Sequence, residues 1–133
     1  TPLYSSAASD VYKRQAQDFE RAVAYDSSGD VDIGDTARTI LTSNSDDALV
    51  GIRLTNIHAS AAIKADVFIT SSASGGSDDS YIIKNATIPF GSSLELIDGG
   101  AKIILQSGDV LKAVCDTANS LNVWVSYVDA IST

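Results

Sequence analysis

Residues 84–114, Lys84-Asn-Ala-Thr-Ile-Pro-Phe-Gly-Ser-Ser-Leu-Glu-Leu-Ile-Asp-Gly-Gly-Ala-Lys-Ile-Ile-Leu-Gln-Ser-Gly-Asp-Val-Leu-Lys-Ala-Val114, decide the fold. Pro89-Phe90-Gly91-Ser92-Ser93 reads as a turn, because proline sets φ and glycine tolerates positive φ. Leu94-Glu95-Leu96 alternates apolar and polar, the period of a half-buried strand. Asp98-Gly99-Gly100 stops that strand. Lys102 to Leu105 starts the next, Gln106-Ser107-Gly108-Asp109 is a second turn, and Val110 to Val114 runs on from it. Turn signals about every 8 to 10 residues are the spacing of an all-β sandwich or barrel.

Outward from this stretch the same grammar continues. Toward the C-terminus, Asp116 to Ser120 is a turn. Leu121 to Ala130 is a strand with Leu121, Val123, Val125 and Tyr127 on one face and Trp124, Ser126 and Val128 on the other. Toward the N-terminus, Ser80 to Lys84 is a short strand and Ser71 to Asp79 a flexible loop. Ala62 to Thr70 is a strand with Ile63, Ala65, Val67 and Ile69 inward. Ala48 to His58 has Val50, Ile52 and Leu54 on one face and Gly51, Arg53 and Thr55 on the other. The two are expected to form an antiparallel hairpin, and Ile57, out of phase, marks a bulge or the strand's end. Thr36 to Thr42 is rich in β-branched residues and is a further strand. The sum is an antiparallel β-sandwich of about eight strands, jelly-roll or Greek-key-like.

The ordered series Lys84, Ile88-Pro89-Phe90-Gly91, Leu94 to Gly99, Lys102 to Leu105 and Gly108-Asp109 resembles the small β-sandwich virion proteins of tailed bacteriophages, especially marine ones. The likeness extends more diffusely over about residues 31 to 129. It implies a head-decoration or tail-associated role in a phage particle, with other virion proteins as partners and a homo-oligomer such as a trimer. It implies a location in the virion and no reaction. Particle proteins need faces for symmetric contacts. Phe68, Phe90 and Trp124, which fall off the main inward phase, are the interface candidates.

Residues 1–15 stand apart. Ser5 to Gln15, reverse-translated, resembles a common transposase-based sequencing adapter, and such segments are kept out of fold reasoning. The expectation is a disordered, adapter-derived stretch on a chain assembled from metagenomic reads. Residues 16–35 are expected to be a peripheral arm, helical turn or edge strand, followed by an acidic loop, and 36–133 the sandwich domain.

Composition narrows the function. The 133 residues carry 9 Lys+Arg against 17 Asp+Glu, a net charge of −8. Such an acidic chain is poorly suited to neutralising phosphates of nucleic acid or an anionic membrane. No apolar run approaches the roughly 20 residues of a membrane-spanning helix. The single cysteine, Cys115, excludes an intrachain disulfide and reads as a small core residue.

Asp26, Asp30, Asp32 and Asp35 in a Gly-containing loop invite a calcium reading, but their spacing is not that of an EF-hand, and a solvated loop is the simpler account. No other cofactor is indicated. His58 is the single histidine, and no nucleophile elbow, HExxH, CxxC or phosphate loop is present. The chain reads as non-enzymatic. The alternative function is a carbohydrate-binding module. Its stacking platform would come from Trp124, Tyr81, Phe90 or Phe68, and an extended glycan would need two or three of these coplanar.

Overall fold

A computed structural model describes residues 18–71, 79–97 and 101–131. The 1–15 segment and most of the 71–79 loop lie outside the described residues. The strands are β1 (Asp18–Val23), β2 (Arg38–Thr42), β3 (Asp47–Asn56), β4 (Ile63–Thr70), β5 (Asp79–Ile88), β6 (Ser93–Glu95), β7 (Ile103–Leu105), β8 (Val110–Cys115) and β9 (Leu121–Asp129). They form two antiparallel sheets, β1-β9-β3-β6 with β7 also on β3, and β2-β8-β4-β5. The all-β sandwich expected from the turn spacing is what the chain adopts.

β6 and β7 share one edge of β3, pairing with Arg53–Thr55 and Asp47–Leu49 respectively. They act as one interrupted strand, which leaves eight strand positions. The pairs are then β1 with β9, β2 with β8, β3 with β6 and β7, and β4 with β5. This nesting is that of one long hairpin rolled up, so that alternate pairs fall in alternate sheets. It defines the jelly roll.

Alternation explains the core. Leu121, Val123 and Val125 of β9 and Ile63, Ala65 and Val67 of β4 are all buried. Ile52 and Leu54 of β3, beside β9 in the same sheet, are buried with them and face β4 across the sandwich. Burying each such aliphatic side chain contributes about 1.5–3 kcal/mol. The turns are those read from sequence. Ser92 N–H donates to Pro89 O (3.1 Å) and Asp109 N–H to Gln106 O (2.9 Å). Gly91 (φ 73°) and Gly108 (φ 95°) each sit third in their turn, where type II geometry demands positive φ.

Four details differ from expectation. β3 and β4 are not a hairpin, because they lie in opposite sheets. Their apolar faces meet across the core rather than side by side, an arrangement that alternation alone does not distinguish. In β3 a bulge between Leu49 and Gly51 changes the phase, so Leu49, not Val50, is fully buried. The short strand at 80–84 continues to Ile88. A bulge at Lys84-Asn85 opposite Asp66 carries it through, with Asn85 at φ 55° and its N–H held by Asp66 Oδ1 (2.7 Å).

The fourth concerns residues 18–35, where the edge strand among the expected alternatives forms as β1 and the segment is integral rather than peripheral. β1 pairs along β9, Ala24 and Ile33 are completely buried, and Ile33 bridges to Leu121. Ile33 and Ala24 were hidden in the sequence by the acidic residues around them. The sandwich therefore reaches back to Asp18 and does not start at residue 36.

Asn56, buried at the end of β3, closes the crossing to β4. Its Nδ2 donates to Ala61 O (2.9 Å) and Ile88 O (3.0 Å), and its Oδ1 accepts from His58 N–H (2.8 Å). Asn56→Ala leaves these backbone groups without partners and is expected to cost about 1–3 kcal/mol. Urea titration reads this as a lower midpoint at unchanged slope. An unchanged midpoint would show that the crossing does not depend on Asn56.

Candidate functional site

The candidate site is the outer face of the β1-β9-β3-β6 sheet. Register places its outward side chains in rows across the strands, about 7 Å apart. One row is Phe19, Val128, Ala48 and Ile104. The next is Arg21, Ser126 and Gly51. The third is Val23, Trp124, Arg53 and Glu95. Beyond it lie Asn122, Thr55 and Ser93.

The first row is apolar from edge to edge. Phe19 is 79% exposed and Ile104 49% exposed, with Ala48 buried between Val128 and Ile104. Three apolar side chains and an alanine aligned across four strands make a patch that a folded monomer has little reason to leave bare.

The second and third rows form a groove of about 590 Å³. Its floor is Gly51 and Ser126, and a side chain at Gly51 would meet nothing closer than Ser126 Cβ at 3.9 Å. One wall is Trp124, half exposed, with the Arg21 guanidinium 5.1 Å from its ring centroid. Such a cation over an indole is attracted by the ring's negative face. The other wall is the Arg53–Glu95 ion pair, Nε to Oε1 2.6 Å, with both side chains open to solvent. At the far end the Asn122 amide, oriented so that its nitrogen donates, reaches Asp32 Oδ1 (2.9 Å) and Val31 O (3.1 Å). The acidic loop is thereby tied against the groove.

The sequence candidates fall in different places. Phe68 is buried, its ring 5.2 Å from that of Tyr81 on the paired strand β5, so it offers no face to a partner. Phe90 is exposed in the turn between β5 and β6, and Trp124 in the groove. Tyr81 lies under the Lys84 ammonium, 4.1 Å from the ring centroid, on the other sheet from Trp124. The aromatics therefore do not make one coplanar platform. Sequence reasoning did not find Phe19, Ile104, Arg21, Glu95 or the role of Gly51. The alternation of Arg53 and Gly51 on one face of β3 was the available signal.

Asp26, Asp30 and Asp32 of the 26–35 loop are engaged locally. Asp26 Oδ1 accepts from the N–H groups of Ser28 (2.8 Å) and Asp30 (2.9 Å), and Asp30 Oδ1 accepts from Asp32 N–H (3.3 Å). Burial, then the nearby Asp30 and Asp26 carboxylates, push the Asp32 carboxyl up. His58 Nδ1 accepts from the N–H groups of Ser60 and Ala61, both at 3.0 Å, and so organises its own loop. Cys115 is buried as expected, its thiol donating to Thr117 O (3.0 Å), and burial raises its pKa.

No family model matches the sequence, and no curated protein does. Among solved structures the chain is similar to one titled "Structure of infectious bursal disease virus Gt strain", with a TM-score of 0.24 and 9% identity. The likeness covers 90% of this chain and spans 37% of that one. At that level it carries no functional argument.

One electrostatic feature sits at the end of the same sheet. Asp47, buried, accepts from Ser43 Oγ (2.8 Å), Ser45 Oγ (3.2 Å) and Ala130 N–H (3.1 Å). Burial, then Asp47 and Glu20, push the neighbouring Asp129 carboxyl up to about 6. A raised folded-state value means that protonated Asp129 favours the fold. That contribution is complete below the unfolded value of 3.8 and is lost as pH rises through about 6. Asp129→Asn, which cannot ionise, is expected to raise the melting temperature at about pH 7.5 and to lose most of that advantage at about pH 4.5. Equal effects at both pH values would contradict the assignment.

Proposed function

We propose that this chain is a non-enzymatic bacteriophage virion structural protein, decorating or completing the particle through protein–protein contacts and assembling with copies of itself. The observation that carries the reading is the apolar row Phe19–Val128–Ala48–Ile104 across the outer sheet face. It ends on the exposed edge strands β1 and β7, where a neighbouring subunit can both cover apolar surface and approach backbone edges. The ordered turn-and-strand series of residues 84–114, with its resemblance to phage virion proteins, supplies the particle context.

The acidic exterior supports the same role. A net charge of −8 keeps free subunits apart and soluble until a specific contact forms. Several carboxylates are occupied with backbone groups. Asp66 and Asp116 accept from Asn85 and Lys64 N–H, and Asp109 accepts from Gln106 N–H and Ser71 Oγ. Their work is to hold loops of a sturdy roll.

Light scattering after size exclusion tests the proposal. The chain is expected to run as a symmetric oligomer of its 13.9 kDa subunit. The double variant Phe19→Ser with Ile104→Ser is expected to fall to the single-chain mass with an unchanged far-ultraviolet circular dichroism spectrum. A wild-type chain that is a monomer at every concentration would contradict it.

A further inference from the structure

We propose that the groove beside Trp124 is a binding site for a single neutral hexose ring, such as the terminal residue of a glycan. The site is built from this chain's own side chains and does not rest on the virion role. A pyranose has two kinds of surface. Its axial C–H groups form an apolar face that stacks on an aromatic ring. Its equatorial hydroxyls each donate and accept hydrogen bonds. The groove supplies a partner for each.

Trp124 is the stacking surface. The ring lines the groove and is half exposed, and the Arg21 guanidinium lies 5.1 Å from its centroid. The cation also braces the ring, which lowers the entropy lost when a ligand stacks on it. Gly51 keeps the floor open beside the indole, since no side chain fills the space above Ser126.

The opposite wall is the polar half. Arg53 and Glu95, 42 residues apart in sequence, are brought together by the β3–β6 pairing, with Nε and Oε1 2.6 Å apart. The pair uses one guanidinium N–H and one carboxylate oxygen. It leaves further N–H donors beside a free acceptor oxygen, both solvent-facing. A vicinal diol, with one hydroxyl accepting and its neighbour donating, matches that fork. Thr55 and Ser126 add hydroxyls to the lining. The groove volume of about 590 Å³ falls within the roughly 300–1,000 Å³ of small-ligand sites.

Two observations define the ligand class. Asp32, held by Asn122 at one end of the groove, and the overall charge of −8 disfavour an anionic sugar. Tyr81 and Phe68 lie on the other sheet, Phe90 in a turn, and Phe19 two rows away on the same face, so one aromatic serves the ring held in the groove.

Trp124 is the only tryptophan, so emission of the whole chain reports on this groove. The chain is titrated with the methyl α- and β-pyranosides of glucose, galactose and mannose, and with sodium glucuronate. At least one neutral glycoside is expected to shift the emission saturably with a millimolar dissociation constant, and glucuronate to bind about tenfold more weakly or worse. By saturation-transfer NMR, Trp124→Ala and Glu95→Gln are each expected to weaken that binding by about tenfold or more at an unchanged melting temperature. The proposal is overturned if none of the neutral glycosides gives a saturable shift, or if glucuronate binds tightest. Undiminished binding by both variants overturns it as well. So does a drop in solution mass in Trp124→Ala, which would make the indole a subunit contact.

Discussion

The structure depends on one pairing: the last strand, β9, lies between the first and the third. It hydrogen-bonds to β1 along one edge and to β3 along the other. The sheet has no continuous centre until the C-terminal strand arrives. Closure is therefore non-local, and loop-closure entropy opposes it until contacts far apart in sequence form together. The same pairing builds both surfaces that matter. Inward, Leu121, Val123 and Val125 complete the core. Outward, Asn122, Trp124, Ser126 and Val128 supply one member to each row of the exposed face.

That face divides by chemistry. At one end the row from Phe19 to Ile104 is apolar and reaches both edges. Two rows away, a tryptophan, an ion pair and small polar side chains surround open space. The first suits a flat protein partner, which buries area without demanding hydrogen bonds at its centre. The second suits a small polar ligand with one apolar side.

Much of this architecture was legible in the chain, and the losses have physical causes. The inward residues of β4 and β9 followed directly from alternation, because the period of two is rigid. The turns at 89–92 and 106–109 were legible because Pro and Gly fix backbone angles. The partnering of strands was not, since an inward face says nothing about which sheet a strand joins; hence the mistaken hairpin of β3 with β4. Bulges at Leu49–Gly51 and at Asn85 shifted phase without a sequence marker of their own. Of the site, only Trp124 was singled out in advance. Arg53 and Glu95 become neighbours through tertiary pairing, and Gly51 matters for the side chain it lacks. Phe68 looked like surface by phase, yet Tyr81 from the adjoining strand lies against it.

Trp124 stands open on the outer face of β9. Acrylamide quenching of the native chain's emission tests this most directly, because a single indole contributes. Emission is expected at the long wavelength of a water-facing indole, with efficient quenching that free tryptophan exceeds only modestly. A short-wavelength emission resistant to acrylamide would place Trp124 in a dry interior or under a partner, and would contradict the account.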